Sequence, residues 1–397
     1  MALTDLWLAA REQISDKLVK QIISIAGTGQ LRDGNDASTE FREFLARVPS
    51  FFLSRYADEC LKESFEGSGF ALQDVINQVG RRLGFSVTYG RYRGTVAHIG
   101  FDGLWRFPDG HTVIVEVKTT DTYRVDLNSI AEYRRALISQ AECLEDKSSI
   151  LVVVGRQDTG DLEAQIRGSR HAWDIRLISV DALLRLMSLK EEVEDPKIIE
   201  KICAILIPRE FTRVDSIIDL VFSTAEDVKL EEIYEEEEED FQEDRKPKFT
   251  PVAFHQACVD RIEKYLGQPL IKLSKASYSS SDGELALICA VSKEHGRGGQ
   301  ASYWFAFHPH QKEFLEAASQ AFVALGCGSA ETIPMIPYQD FKSWLDGMNI
   351  TSKEDRFYWH ISIFREDAKL VLHRRRGHEK VDLSKYLLAE DSAVRAV

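Results

Sequence analysis

Ten acidic residues and no basic residue lie between Glu231 and Asp244, in the stretch EEIYEEEEEDFQED. Like charges at this density repel one another and cannot form a hydrophobic core, so the stretch is expected to stay solvated. It divides the 397-residue chain into two parts, each long enough to bury a core of its own. The run therefore predicts a linker. A second interpretation is that it mimics nucleic acid and covers a basic groove when no substrate is bound.

The acidic run also accounts for most of the net charge of −14, because removing its ten charges leaves −4 for the remainder. A nearly balanced remainder neither favours nor excludes a polyanionic partner of the folded parts. No run of about 18 apolar residues is present, so no membrane partner is expected. The six cysteines are scattered singly, without a CxxC pair, which favours a reducing compartment and predicts a cytoplasmic protein.

Hydrophobic periodicity before the run predicts helices up to about Phe65 and then the order αβββαβαβα, which is a mixed α/β layer. The first helix of this order covers about 71–83. Pro108–Gly110 separates two strand-like segments and predicts a hairpin turn. After the run, a second α+β segment is predicted, with strands that include ASYWFAFH and YWHISIF and a helix over 310–326.

Three charged residues, Asp102, Glu116 and Lys118, fall on the predicted hairpin. Residues two apart in a strand share a face, so Glu116 and Lys118 point the same way. A hairpin turning at Asp109 pairs residues whose numbers sum to about 218, which places Asp102 opposite Glu116, ~5 Å away at Cβ. Two carboxylates this close require a cation between them, and Mg²⁺ is held by such oxygen ligands with waters. The plainer interpretation is a half-exposed strand that carries a salt bridge.

Asp102 and the Glu116–Lys118 segment, with the predicted helices and strands around them, resemble the PD-(D/E)XK nuclease superfamily. The resemblance extends over about Phe70 to Ser179. The resemblance implies a mixed-sheet, restriction-endonuclease-like core that cleaves DNA, less often RNA, with Mg²⁺ or with Mn²⁺ as a substitute. It implies that Asp102 and Glu116 bind the metal and that Lys118 activates the attacking water. The Pro108–Asp109 pair matches the letters PD of the superfamily name, but it lies in the turn, and Asp102 is the residue in the metal-ligand position. Members often add an acid from the preceding helix, for which Asp74 is the candidate and Glu63 the alternative.

Basic and polar residues in three regions are candidates for nucleic-acid contact. The helix after Lys118 contributes Arg134 and Arg135, although a solvent-facing arginine pair explains them equally well. The other candidates follow the buried strand over 150–154 or lie near the C-terminus: Arg156, Gln165, Arg167, Arg170, Arg374, Arg375 and Arg376. Aromatic residues such as Tyr303, Phe305 and Phe307 suggest base stacking in the second segment, but core positions suit most of them better.

The sequence thus predicts a metal-dependent endodeoxyribonuclease, in the style of a restriction or phage-defence effector. The alternatives are an RNase, a non-catalytic nuclease-like module that binds nucleic acid or protein, and an interaction protein that acts through its acidic run. The oligomeric state is open, and a homodimer is one option. The predicted organisation has five parts: a helical extension (1–66), the nuclease-like core (67–195), a helix and strand extension of that core (196–230), the acidic linker (231–249) and a C-terminal α+β domain (250–397). The last is predicted to sense a signal or to read nucleic acid.

Overall fold

The computed structural model of the protein describes residues 3–63, 65–93, 100–119, 125–155, 160–208, 251–297, 300–353, 356–366 and 369–388. The chain forms two compact units, Met1–Glu231 and Glu232–Val397. The acidic run lies outside the described residues, as does most of the predicted extension over 196–230. Among the described residues, no helix is long and apolar enough to cross a membrane.

The first unit begins with a layer of short helices, which confirms the helices predicted up to about Phe65. They are α1 (Leu3–Ala9), α2 (Arg11–Ser15), α3 (Val19–Ile25), α4 (Asp36–Arg47) and α5 (Ser50–Lys62). Their large apolar side chains, among them Trp7, Phe41 and Phe44, are buried in one cluster. The next helix, α6 (Ser68–Arg82), is buried along most of its length and belongs to the same cluster.

A five-stranded sheet follows α6, in the order β1-β2-β3-β4-β5. The strands are β1 (Ser86–Tyr89), β2 (Gly103–Arg106), β3 (Thr112–Lys118), β4 (Ser148–Val154) and β5 (Ile175–Ser179). The β1–β2 and β2–β3 pairs are antiparallel, whereas the β3–β4 and β4–β5 pairs are parallel. The prediction of a mixed α/β layer is therefore confirmed. The remaining helices of the unit are α7 (Leu127–Ser139), α8 (Gly160–Arg167), α9 (Val180–Glu192) and α10 (Pro196–Cys203), followed by a 3₁₀ turn (Ala204–Leu206).

The sheet is covered on both faces, and the alternation of side chains along β3 assigns each face. Val113 and Val115 pack in the cluster that contains α6. Ile114 packs in a separate cluster with apolar residues of α7 and α8. Because residues two apart share a face of a strand, Glu116 and Lys118 belong to the face covered by α7 and α8. Glu116 and Lys118 thus lie at the end of a strand that is buried from Thr112 to Glu116.

The second unit contains two sheets and three helices within the described residues. One sheet has the order β12-β11-β8-β7-β6; the other has the order β16-β15-β14-β10-β9, with β13 paired to β14. The helices are α11 (Pro251–Leu266), α12 (Pro309–Glu316) and α13 (Tyr338–Trp344). The strands are β6 (Ile271–Lys272), β7 (Ser277–Ser279), β8 (Leu285–Ser292), β9 (His295–Arg297), β10 (Gln300–Phe307), β11 (Gln320–Cys327), β12 (Met335–Pro337), β13 (Asn349–Lys353), β14 (Arg356–Glu366), β15 (Lys369–His373) and β16 (Val381–Asp382).

The predicted helix over 310–326 is wrong in its second half. Helix α12 ends at Glu316, and the following QAFVALGC is strand β11, which pairs in parallel with β8 along its whole length. Alanine and leucine give this segment a helix-like composition, but its burial between two strands decides its structure. The core assignment of Tyr303, Phe305 and Phe307 is confirmed, because all three side chains are buried.

Candidate active site

The β2–β3 hairpin has the register that the sequence predicts. Gly103 pairs with Val115 and Arg106 with Thr112, so paired residue numbers sum to 218. The turn closes where Phe107 donates its N–H to the His111 carbonyl at 2.8 Å, and Gly110 adopts the left-handed conformation that this turn requires. The hairpin therefore carries the chain at Asp102 back alongside Glu116.

Asp102 lies one residue before β2, rather than within the strand as predicted. Both its backbone and its side chain nevertheless form hydrogen bonds with β3. Its backbone N–H donates to the Val115 carbonyl at 3.1 Å. Its carboxylate Oδ2 accepts from the Val117 N–H at 2.6 Å. These two bonds fix the carboxylate at the end of β3, beside Glu116 and Lys118.

Glu116 and Lys118 form a close ion pair, with Lys118 Nζ 2.5 Å from Glu116 Oε1. The other carboxylate oxygen, Glu116 Oε2, is buried and has no hydrogen-bond partner among the residues that the structure describes. A buried carboxylate oxygen without a donor is costly, because the desolvation of the charge is not compensated. The structure thus brings together the three predicted catalytic residues and leaves one acceptor of Glu116 unsatisfied.

Burial and mutual repulsion shift the protonation of both acids. Burial, followed by repulsion from Glu116, raises the pKa of Asp102 to about 7. Burial also raises the pKa of Glu116, although Lys118 opposes this shift. Burial disfavours the charge on Lys118, but attraction to Glu116 and Asp102 raises its pKa overall. Near neutral pH the lysine is therefore an ammonium, and the two acids compete to retain a proton.

Helix α6 holds the backbone of Asp102 with two amide side chains. Gln73 Nε2 and Asn77 Nδ2 donate to the Asp102 carbonyl at 3.0 and 2.9 Å, and the Gly90 N–H donates to the same oxygen at 3.0 Å. Asn77 Oδ1 accepts from the Trp105 indole at 2.9 Å. Sequence reasoning missed both amides. The available signal was the pair of amide residues four apart on a helix whose apolar positions Leu72, Val75 and Ile76 predicted burial.

Two glycines allow this close approach. A Cβ at Gly90 would lie 1.9 Å from the Phe101 carbonyl oxygen, and a Cβ at Gly103 would lie 2.0 Å from Asn77 Oδ1. Any larger residue at either position would push the chain away from Asp102. The segment before β2 can therefore pack closely against its neighbours, because Gly90 and Gly103 have no side chain at the points of contact.

Asp74, the predicted third acid, is fully buried. Its Oδ1 accepts from Arg42 Nε at 2.9 Å, and its Oδ2 accepts from the Tyr92 hydroxyl. Burial raises the pKa of Asp74 to about 7, against the attraction of Arg42. Both oxygens are thus engaged by α4 and by the segment after β1, and a role as third ligand stays a prediction. Glu63, the alternative, is an exposed partner of Lys20 at 3.0 Å.

Tyr133 on α7 lies close to the predicted catalytic residues. A Cβ at Gly100 would lie 3.2 Å from its hydroxyl, which places the hydroxyl beside the segment that leads to Asp102. Burial raises the pKa of Tyr133, and the charge of Glu116 raises it further. The phenol is therefore a neutral hydrogen-bonding group next to the carboxylates.

Two of the predicted nucleic-acid contacts have structural partners. Arg134 donates to the Ser148 hydroxyl at 2.9 Å and to the Glu145 carbonyl at 2.6 Å, so it ties α7 to the start of β4. The Gln165 amide forms two hydrogen bonds with the backbone of Val125: it accepts from the N–H at 3.1 Å and donates to the carbonyl at 2.6 Å. Both side chains therefore hold the fold around α7.

The other predicted contacts in the first unit are exposed. Arg135 and Arg167 pair with acidic neighbours on their own helices, Glu132 at 3.5 Å and Glu163 at 3.1 Å. Arg170 lies beyond the end of α8, which stops at Arg167, and its guanidinium donates to Asn128 Oδ1 at 3.4 Å. Arg156 lies outside the described residues.

The arginine cluster in the second unit is partly used in the fold. Arg374 Nε donates to the Glu379 carbonyl at 2.8 Å, and Arg375 donates to the Asp346 carbonyl. Arg376 is exposed. Nucleic-acid contact by this cluster stays a prediction.

Asp102 and Glu116 supply two acidic side chains for a metal. In the part of the chain that the structure describes, no group of three or more His, Cys, Asp or Glu side chains is arranged to hold an ion. Mg²⁺ usually keeps several waters and takes one or two carboxylates from the protein, so two acids suit it. The unsatisfied Glu116 Oε2 is the atom that such an ion would satisfy. The donor set therefore fits a hard divalent cation.

Comparison of the chain with protein-family models finds no matching family, and comparison with curated proteins finds no matching relative.

Proposed function

We propose that the first unit is a metal-dependent endonuclease that hydrolyses phosphodiester bonds of DNA, as part of a restriction or phage-defence effector. The observation that carries the proposal is the buried Glu116 Oε2, which has no hydrogen-bond partner within the described ranges of the chain. The same carboxylate is repelled by that of Asp102 and paired with the ammonium of Lys118. A purely structural salt bridge would not require the second acid. An incomplete cluster of this kind is typical of a site that binds a cation.

The order of elements supports a restriction-endonuclease-like core. Helix α6, the three strands β1 to β3, helix α7 and strand β4 follow one another in the sequence expected from the PD-(D/E)XK resemblance. The mixed pairing of the sheet and the position of the acids at the end of β3 agree with it. The assignment of the fold to this superfamily is part of the proposal.

In the proposed reaction, Asp102 and Glu116 would hold Mg²⁺, or Mn²⁺ in its place. When bound there, such an ion would supply Lewis-acid stabilisation of the phosphate and a water of lowered pKa. Lys118 remains protonated, so it orients the attacking water and offsets negative charge rather than accepting a proton. Tyr133 offers a neutral hydroxyl on the same face, and Gln73 and Asn77 fix the backbone that carries Asp102.

The test is nicking of supercoiled plasmid by the full-length protein with and without Mg²⁺. Replacing Asp102 or Lys118 by Ala is expected to lower the nicking rate at least ~100-fold, because each change removes a group that acts in the transition state. The matched control is Asp109→Ala. This acid follows Pro108 in the turn, where its carboxylate accepts a bond from the His111 N–H, and it is not one of the proposed catalytic residues, so nicking should persist. A labelled RNA substrate, run in parallel, distinguishes an RNase.

Melting temperatures separate chemistry from folding. If both the Asp102→Ala and the Lys118→Ala variants still cut, the site assignment is wrong. If they lose activity because they unfold, while Asp109→Ala does not, the cluster is structural and the non-catalytic module is the better description.

A further inference from the structure

A cleft of about 990 Å³ lies in the first unit, outside the carboxylate cluster. Its walls are α3, residues 29–33, residues 65–70 at the entry to α6, and Tyr92 with Arg93. The volume is at the upper end of the range found for small-molecule sites. The cleft is therefore large enough to hold a nucleotide.

The charged groups of the cleft favour a phosphate. Three basic side chains line it, Lys20, Arg32 and Arg93, against the two acids Asp33 and Glu66. Asp33 is already engaged, because its Oδ1 accepts from the Tyr92 N–H at 2.9 Å. Arg32 and Arg93 are exposed, and Arg32 donates to Gln30 Oε1, also in the cleft lining, at 2.7 Å. Arginine is well suited to phosphate because its donors are arranged as a planar fork.

Two aromatic side chains of the cleft lining, Phe70 and Tyr92, pack against each other. The Phe70 ring packs on the buried Tyr92 ring, with centroids 4.8 Å apart and planes 30° apart. The Arg93 guanidinium carbon lies 6.0 Å from the Phe70 centroid. A flat base between ring and guanidinium needs roughly 7 Å, or twice a van der Waals contact. A small movement of Arg93 would therefore admit a base between the two.

Three uncharged polar residues also line the cleft. Gln21, Ser24 and Gln30 line the cleft and are exposed. Amide and hydroxyl groups are the side chains that read base edges by hydrogen bonds. Stacking surface, base-edge partners and phosphate ligands thus occur together.

The cleft is joined to the carboxylate cluster by two short paths. Along α6, Gln73 follows Phe70 by three residues, about 4.5 Å along the axis, and donates to the Asp102 carbonyl at 3.0 Å. The same amide approaches the Arg91 carbonyl at 3.5 Å, next to Tyr92 in the chain. The cleft lining is therefore connected, through Gln73, to the backbone of the residue whose carboxylate lies at the end of β3.

We propose that this cleft binds one unpaired nucleotide of the strand whose backbone is cut at the carboxylate cluster. The proposal rests on the proposed function and extends it by naming the substrate class as nucleic acid with an unpaired nucleotide next to the cleaved bond. Extruding a paired base costs a few kcal/mol, whereas a bulged nucleotide has no pairing to lose. The protein should therefore prefer bulged or single-stranded sites over perfect duplex.

The experiment measures binding of the full-length protein, in EDTA, to two labelled duplexes that differ only by one bulged 2-aminopurine nucleotide. We expect at least tenfold tighter binding of the bulged duplex and quenching of its 2-aminopurine fluorescence by stacking. The double variant Arg32→Glu/Arg93→Glu should reduce the preference below twofold. Phe70→Leu, which keeps apolar volume, should remove the quenching. Arg185→Glu, a highly exposed arginine on α9, is the matched control and should change neither.

Equal affinity for the two duplexes, or a preference that survives the double variant, overturns the proposal. Free dAMP at millimolar concentration is the arm that tests the source of the nucleotide. Tight dAMP binding that is lost in the double variant, without any preference for the bulge, would assign the cleft to a free nucleotide and overturn the link to the substrate strand. Because binding is measured without metal, a bulge preference can persist even if plasmid nicking proves independent of Asp102, and only the proposed function then fails.

Discussion

The carboxylates of Asp102 and Glu116 are held together at the expense of folding stability. Asp102 retains its proton to about pH 7 in the folded protein because of burial and the nearby Glu116, whereas an aspartate in an unfolded chain ionises near pH 4. Between these values the folded state binds more protons than the unfolded state, so this group makes stability fall as the pH rises. A residue that destabilises the fold in this way is better explained by function than by structure.

Replacing Asp102 by Asn should therefore stabilise the protein at pH 8, by about 1 to 2 kcal/mol. Asparagine can still accept from the Val117 N–H, but it removes the repelling charge. The gain should shrink at pH 5, where the folded wild type already holds the proton. Urea denaturation at both pH values measures the difference. An equal gain at the two pH values, or none, would contradict the repulsion argument.

The same pKa shifts predict how metal binding depends on pH. Asp102 must lose its proton before it can bind a cation, so Mn²⁺ affinity should rise from pH 6 to pH 8 and level off above it. Calorimetry in two buffers of different protonation enthalpy measures the protons released, which should approach one near pH 6 and fall toward zero at pH 9. The Asp109→Ala variant should behave like wild type. Affinity that is flat with pH would show that Asp102 is not a ligand.

At the level of elements, the contact between α6 and β2 determines where the site lies. Gly80 faces the fully buried Trp105, and Asn77 bonds the same indole one turn earlier. The helix can approach the strand this closely because position 80 carries no side chain. The amides that hold Asp102 are therefore positioned by the packing of the whole helix.

Two glycines of α6 provide a matched test of this contact. A Cβ at Gly80 would lie 2.5 Å from the Trp105 ring, so Gly80→Ala should destabilise the protein by about 1 to 3 kcal/mol. Gly69→Ala meets nothing within 4 Å and should be neutral or stabilising by up to ~1 kcal/mol, because alanine favours a helix. Thermal melts of both variants give the comparison. If the two substitutions have the same effect, the close packing of α6 on Trp105 is refuted.

At the scale of the whole molecule, the chain forms two units with separate sets of buried clusters. The first unit contains all of the proposed catalytic residues, and the acidic run falls at the division between the units. Under the proposed function, the run is either a solvated linker or a cover for a surface that binds nucleic acid. In neither role does it contribute to the chemistry.

Replacing residues 231–244 by a Gly/Ser stretch of equal length should leave nicking unchanged or raise it by up to ~10-fold at low salt. Removing a competing polyanion strengthens DNA binding most where electrostatic attraction is least screened. Nicking rates at 50 and 200 mM NaCl would measure the effect. Loss of activity at both salt concentrations would instead support the interaction protein that acts through its acidic run.

The local features of the site follow from the sequence alone. The turn at Pro108–Gly110 and the period-two alternation of β3 set the hairpin register, because both depend only on residues near one another in the chain. The same short-range rules bring Asp102, Glu116 and Lys118 to one place and predict a mixed α/β layer.

Other features depend on contacts between distant segments. The roles of Gln73 and Asn77 as donors to Asp102, and of Arg134 and Gln165 as ties within the fold, require partners from other elements. Strand β11 forms because β8 lies beside it, against the helix-like composition of its own residues. A short polypeptide segment determines its periodicity and its turns. The burial of a polar group and the choice of its partner are decided only when the whole chain packs, since the free energy of that group depends on which atoms replace water around it.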